Sequence, residues 1–151
     1  VKRLSDSVGI RLRKLNREKV EEELVRACKL LSKSSPILTT VLFGSLIRGN
    51  YSGCSDADVL LVVKDAPEDE SERYRLFNRI KASAPVQLFV FTEKEITERI
   101  LDGDTFIIEA IVTGKPLIGY KYYEKLLSMC EKAIKKYGLR RTKIGWVRMR
   151  D

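Results

Sequence analysis

VLFGSLIRGNYSGCSDADVLLVV, residues Val41–Val63, contains two apolar runs joined by a short polar connection. The first run ends in Gly44-Ser45, and the second opens on Asp56-Ala57-Asp58. Short aliphatic, β-branched runs bounded by glycine, serine and asparagine predict two strands around a compact loop. Side chains alternate along a strand, so Asp56 and Asp58 point the same way, with α-carbons about 6–7 Å apart. Carboxylates that close repel each other unless a cation lies between them. Mg²⁺ suits the pair, because it prefers hard oxygen ligands and shares them with substrate phosphates. Two such ions about 3.5–4 Å apart would clamp an in-line phosphoryl or nucleotidyl displacement. Gly44-Ser45 is the complementary half. Glycine lets backbone approach a phosphate, the following amides lie at a predicted helix start that favours anions, and Ser45 adds a hydroxyl. If the two strands are neighbours, both halves share one cleft.

Outward from this stretch, the chain reads as a small α/β (α+β) mixture. Asn16 can cap a helix to about Lys33, whose stripe is Val20, Leu24, Ala27, Cys28 and Leu31. Ile37–Phe43 is the first strand and Asp58–Val63 the second. The second is apolar almost throughout and is expected to be central, covered on both faces. Ser71–Ala82 predicts a helix with Tyr74, Phe77 and Ile80 inward, and Pro85–Phe91 a third strand. Thr92-Glu93-Lys94-Glu95 has the form of a capping box. The helix after it would bury Ile96, Ile100 and Leu101. Asp104 can cap a further helix to about Thr113, and Pro116–Ile118 fits a short strand. Tyr122–Tyr137 is the most regular helix, with Gly138 where a left-handed cap is expected. Residues 1–151 read as a single domain, with an N-terminal helix at 16–33, a core at 37–119, a C-terminal helix at 121–137 and a basic tail at 139–151. The tail holds Arg140, Arg141, Lys143, Arg148 and Arg150 around Trp146.

Composition narrows the chemistry. The chain has 151 residues, no histidine and a formal net charge of +8. Without histidine there is no Ser-His-Asp or Cys-His catalysis. The charge favours polyanionic partners, nucleic acid or nucleotides among them, or else marks a solvated basic surface. The basic tail could lie along a phosphate backbone with Trp146 stacking on a base, or pack on the domain through Ile144 and Trp146. Cys28, Cys54 and Cys130 form no metal-binding spacing, and a reducing cytoplasm is expected. No apolar run reaches membrane-spanning length, and no signal peptide is expected.

Phe43-Gly44-Ser45, followed after residues 46–55 by Asp56-Ala57-Asp58-Val59, resembles the signature of the polymerase-beta-like nucleotidyltransferase superfamily. Arg48-Gly49 and Ser55 extend the likeness to the minimal nucleotidyltransferases of bacteria and archaea, and FIIEAIVTGKPLIG (106–119) resembles the closing helix and strand of that minimal fold. The resemblance implies a palm-like mixed sheet flanked by helices, with extra helices at both ends. It also implies Mg²⁺-dependent transfer of a nucleoside monophosphate from an NTP, ATP being the expected one, to an acceptor hydroxyl with release of pyrophosphate. Gly44 and Ser45, with Arg48 and Ser55, would hold the nucleotide, and Asp56 and Asp58 the metal.

Members of that superfamily usually carry a third carboxylate on a following strand. The matching position here is Gln87, the only glutamine in the chain. Glutamine can offer a carbonyl oxygen to a metal, but it adds no charge and is a poor base. Glu93 and Glu95 are possible substitutes, although Glu95 is already accounted for by the capping box. Three readings follow: an active nucleotidyltransferase, a catalytically degenerate nucleotide-binding or antitoxin-like subunit paired with a helical HEPN-type partner, or a basic RNA- or DNA-binding module.

Overall fold

The computed structural model describes residues 16–49 and 56–149. Strand β1 (Ile37–Phe43) lies between β2 (Ala57–Val63) and β4 (Lys115–Ile118), antiparallel to both. β3 (Val86–Thr92) runs parallel to β2 on its other side, giving the sheet order β3-β2-β1-β4. Helix α1 (Arg17–Ser32), the single turn α2 (Ser45–Arg48) and α3 (Glu70–Phe77) contribute to the core on one face. Helices α4 (Glu93–Leu101), α5 (Thr105–Thr113) and α6 (Tyr120–Tyr137) cover the other. This is the mixed sheet flanked by helices that the sequence predicts.

β2 shows why the sheet sits where it does. Val59, Leu61 and Val63 enter the α1-side core while Leu60 and Val62 enter the α5-side core, and all five are fully buried. An uninterrupted apolar strand is stable only with both faces covered. α1 uses the expected stripe, with Val20, Leu24 and Cys28 fully buried. It is tied to the sheet edge by Glu21, which bonds Arg17 at 3.1 Å and Lys115 at 2.5 Å. Asn16 caps α1 through the amide of Lys19, and Thr92 with Glu95 forms the full capping box of α4.

Three expectations need correction. The helix read over Ser71–Ala82 runs instead from Glu70 to Phe77, and Ile80 and Ala84 are buried from irregular chain beyond it. Tyr74 is exposed because Arg73 takes the inward position. The Arg73 guanidinium donates to Pro67 O (2.8 Å), Val90 O (3.2 Å) and Glu95 (2.9 Å), filling space beside the edge strand β3. Leu101, expected inward, is also exposed at the end of α4. Finally, the basic segment, over its described residues, is a hairpin. Gly138, in the left-handed region (φ 60°), turns the chain out of α6 into a hairpin of β5 (Leu139–Thr142) and β6 (Gly145–Arg148). Leu139 and Trp146 pack on the α5-side core, whereas Ile144, at the hairpin tip, is 95% exposed.

Candidate functional site

The antiparallel β1–β2 pair brings the end of one strand beside the start of the other. Phe43 and Asp58 are cross-strand partners, so Gly44-Ser45 and Asp56-Ala57-Asp58 meet at one end of the sheet. Gly44 is required there twice over. Its φ of 83° lies in the region that L side chains avoid, and a Cβ on it would overlap the Asp58 carboxylate. Bare backbone therefore lies directly against that carboxylate. The turn of α2 commits the amides of Ile47 and Arg48 to Gly44 O, at 3.2 and 3.1 Å. By helix geometry, the amides of Ser45 and Leu46 have no intrahelical acceptor.

Asp56 is exposed and Asp58 half-buried. Burial, and then the neighbouring Asp56 charge, push the Asp58 carboxyl above the ordinary aspartate range, with Arg48 pulling it back. The pair thus carries negative charge that Arg48 offsets only in part. Such a donor set fits a divalent cation whose remaining ligands are substrate phosphates and water. Among the described residues no cluster of three or more acidic, histidine or cysteine side chains is placed to hold a metal unaided.

β3 places the third position. In the parallel register Asp58 pairs with Gln87, so the two side chains stand in one row on the same sheet face, and Gln87 is exposed. The proposed substitutes do not reach this end. Glu95 is committed to Thr92 and Arg73, and Glu93 pairs with Lys125 at 3.7 Å. Both follow Thr92, at the opposite end of β3 from Gln87. Arg48 is exposed and sits close enough to favour the ionised forms of both Asp58 and Glu109. Ser55 lies outside the described residues.

The sequence reading missed Glu109. This half-buried carboxylate on α5 accepts from Arg141 Nε (2.9 Å), Arg141 Nη2 (2.8 Å) and Trp146 Nε1 (2.6 Å), anchoring the hairpin. Its one signal was a lone charge in the apolar run of α5. The Arg141 hydrogen bonds hold its carboxyl below the usual glutamate range, opposed by burial and aided by Trp146 and Arg48. One turn earlier, the Phe106 ring meets Phe43 at 5.8 Å and Phe89 at 5.1 Å between centroids, and Phe43 meets Phe89 at 5.6 Å. A groove of about 620 Å³ along the free flank of β3, lined by Arg73, Tyr74, Phe91 and Arg99 among others, includes neither Asp56 nor Asp58.

With this geometry in place, residues 26–119 match the family described as Polymerase beta, Nucleotidyltransferase. The chain belongs to that family. No curated protein matches it. Among solved structures, this nucleotidyltransferase-family chain is similar to a toxin–antitoxin crystal structure with AMP-PNP, at 20% identity and TM-score 0.51, covering 82% of this chain and 88% of that one. It is also similar to a crystal structure of the toxin–antitoxin MntA-HepT, at 20% identity, TM-score 0.48 and coverage of 78% and 86%. A nucleotidyltransferase candidate from Sulfolobus solfataricus is 27% identical, with TM-score 0.45 and coverage of 52% of this chain and 72% of that one. The first of these likenesses bears on fold, and it agrees with the mixed sheet. The family match includes Gly44, Ser45, Arg48, Asp56, Asp58 and Gln87, and it stops before α6 and the hairpin.

Proposed function

We propose that the cleft between Gly44-Ser45 and Asp56/Asp58 binds an NTP, ATP foremost, with Mg²⁺, and transfers its nucleoside monophosphate to an acceptor hydroxyl. The observation carrying this reading is the contact of bare Gly44 backbone with the Asp58 carboxylate, beside Asp56 and inside the family match. Asp56 and Asp58 would hold the ion, which when bound neutralises phosphate charge. Ser45, with the amides at the start of α2, would hold the triphosphate, and Arg48 would stand beside it. The acceptor oxygen attacks the α-phosphorus, the bond to the α,β-bridging oxygen breaks, and pyrophosphate leaves. Gln87 has no carboxylate to take the acceptor's proton, so proton loss to solvent should limit the rate. The test is incubation with labelled NTP and Mg²⁺ across hydroxyl acceptors. Pyrophosphate should be released by the native chain and not by Asp58→Asn. Failure of release with every NTP and acceptor would overturn the enzymatic reading.

Gln87 favours a second reading, a nucleotide-binding, antitoxin-like subunit that works with a helical HEPN-type partner. On that reading Mg²⁺-dependent nucleotide binding persists without turnover, and a helical protein co-purifies.

A further inference from the structure

We propose that Phe106 is the stacking platform for the base of the bound nucleoside triphosphate. The inference rests on the nucleotide reading above and adds where the nucleoside end of the ligand lies. α5 turns Ile107, Ile108, Ala110 and Ile111 into the core, which leaves Phe106 and Glu109 on its outer side, one turn apart. That side borders the carboxylate row. Phe106 touches Phe43, the cross-strand partner of Asp58, and Phe89, two residues beyond Gln87 and so on the same sheet face. Diagonal neighbours on adjacent strands are about 7–8 Å apart, roughly one side chain's reach.

The ring is fixed from below and free above. Phe43 meets it edge-on at 83° and Phe89 at 56°, yet 48% of Phe106 remains exposed. Asp104 caps the helix start through the amides of Phe106 (3.0 Å) and Ile107 (3.3 Å), holding the backbone under the ring. A ring already ordered loses little entropy when a second ring settles on it. Isolated exposed apolar side chains are ordinary on protein surfaces. Tyr74 and Tyr120 are two such, on α3 and at the start of α6. Phe106 differs in that its neighbours are those of Asp58 and Gln87. Every base has a π-face, so the platform contributes affinity with little choice among bases.

Calorimetric titration in Mg²⁺ compares α,β-methylene-ATP, which cannot transfer its nucleotide, with inorganic tripolyphosphate, which has no base. Phe106→Ala should weaken the nucleotide analogue about five- to 150-fold and leave tripolyphosphate unchanged. Phe106→Trp should retain the native difference between the two ligands, and Phe106→Leu, apolar but without a π-face, should lose most of it. Equal losses for both ligands, or an unchanged nucleotide affinity in Phe106→Ala, overturn the platform. Nucleotide binding that Asp58→Asn abolishes but Phe106→Ala spares would leave the site reading standing while this inference falls. If the native chain binds neither ligand, both fall.

Discussion

At Gly44 a single hydrogen in place of a methyl decides whether the cleft closes correctly. Gly44→Ala should cost about 1–3 kcal/mol, because φ 83° with ψ −152° is a backbone conformation essentially confined to glycine, and should also push the Asp58 carboxylate aside. Urea unfolding would measure the first effect, and loss of Mg²⁺–NTP binding the second. Asp58 carries the opposite sign. Because burial and Asp56 raise its proton affinity in the fold, the native state holds that proton to a higher pH than the unfolded chain does. Stability therefore declines as pH rises through this interval above the ordinary aspartate range, and at neutral pH the whole cost is present. Asp58→Asn should raise the melting temperature, while removing the stabilisation that Mg²⁺–NTP gives the native chain. Gln87 stands in register with Asp58, so Gln87→Asp supplies a carboxylate in the right row. The variant should bind Mn²⁺ more tightly and release pyrophosphate faster. No gain in either would show that the row alone does not complete the site.

At the scale of elements, the hairpin is hydrogen-bonded to α5 through the Glu109 carboxylate. Arg141 and Trp146 both donate to Glu109, which stays ionised below the usual glutamate range. A depressed carboxyl contributes its stabilisation above its unfolded pKa and loses it as pH falls through the folded one. Hairpin docking should therefore weaken only below about pH 4.3. Trp146 is the single tryptophan, so its fluorescence reports docking directly. Emission should shift to the red in acid, and Glu109→Gln should show part of that shift at neutral pH. The elements up to β4 were legible because their signals are local: the apolar, β-branched runs of β1 and β2, the Thr92–Glu95 box, the Asp104 cap. The Gly44, Asp56 and Asp58 constellation was legible because its parts are close in sequence and a strand's period sets their face. Glu109 was not, because its partners lie 32 and 37 residues away and nothing local marks a docked hairpin. Arg73 in the place expected for Tyr74 has the same cause, since its acceptors belong to β3 and α4.

Across the whole molecule, positive charge is unevenly distributed. Five cationic side chains and one carboxylate lie in residues 139–151, so removing that segment takes the formal charge from +8 to +4. If the hairpin contributes to polyanion binding, the truncated chain should bind a generic RNA more weakly and with a shallower salt dependence. An unchanged salt slope would place any such binding elsewhere. The sheet also joins distant parts of the chain. β4 closes the outer edge of β1, and Thr39 Oγ1 donates to Ile118 O across 79 positions. During synthesis, at about 5–20 residues per second, β1 therefore waits about 4–16 s for its outer neighbour. Once Asp58 has been added, the nascent chain carries both halves of the cleft while β1 still has an unpaired edge. The order of manufacture thus leaves this sheet open to wrong partners just before α6 and the hairpin are made.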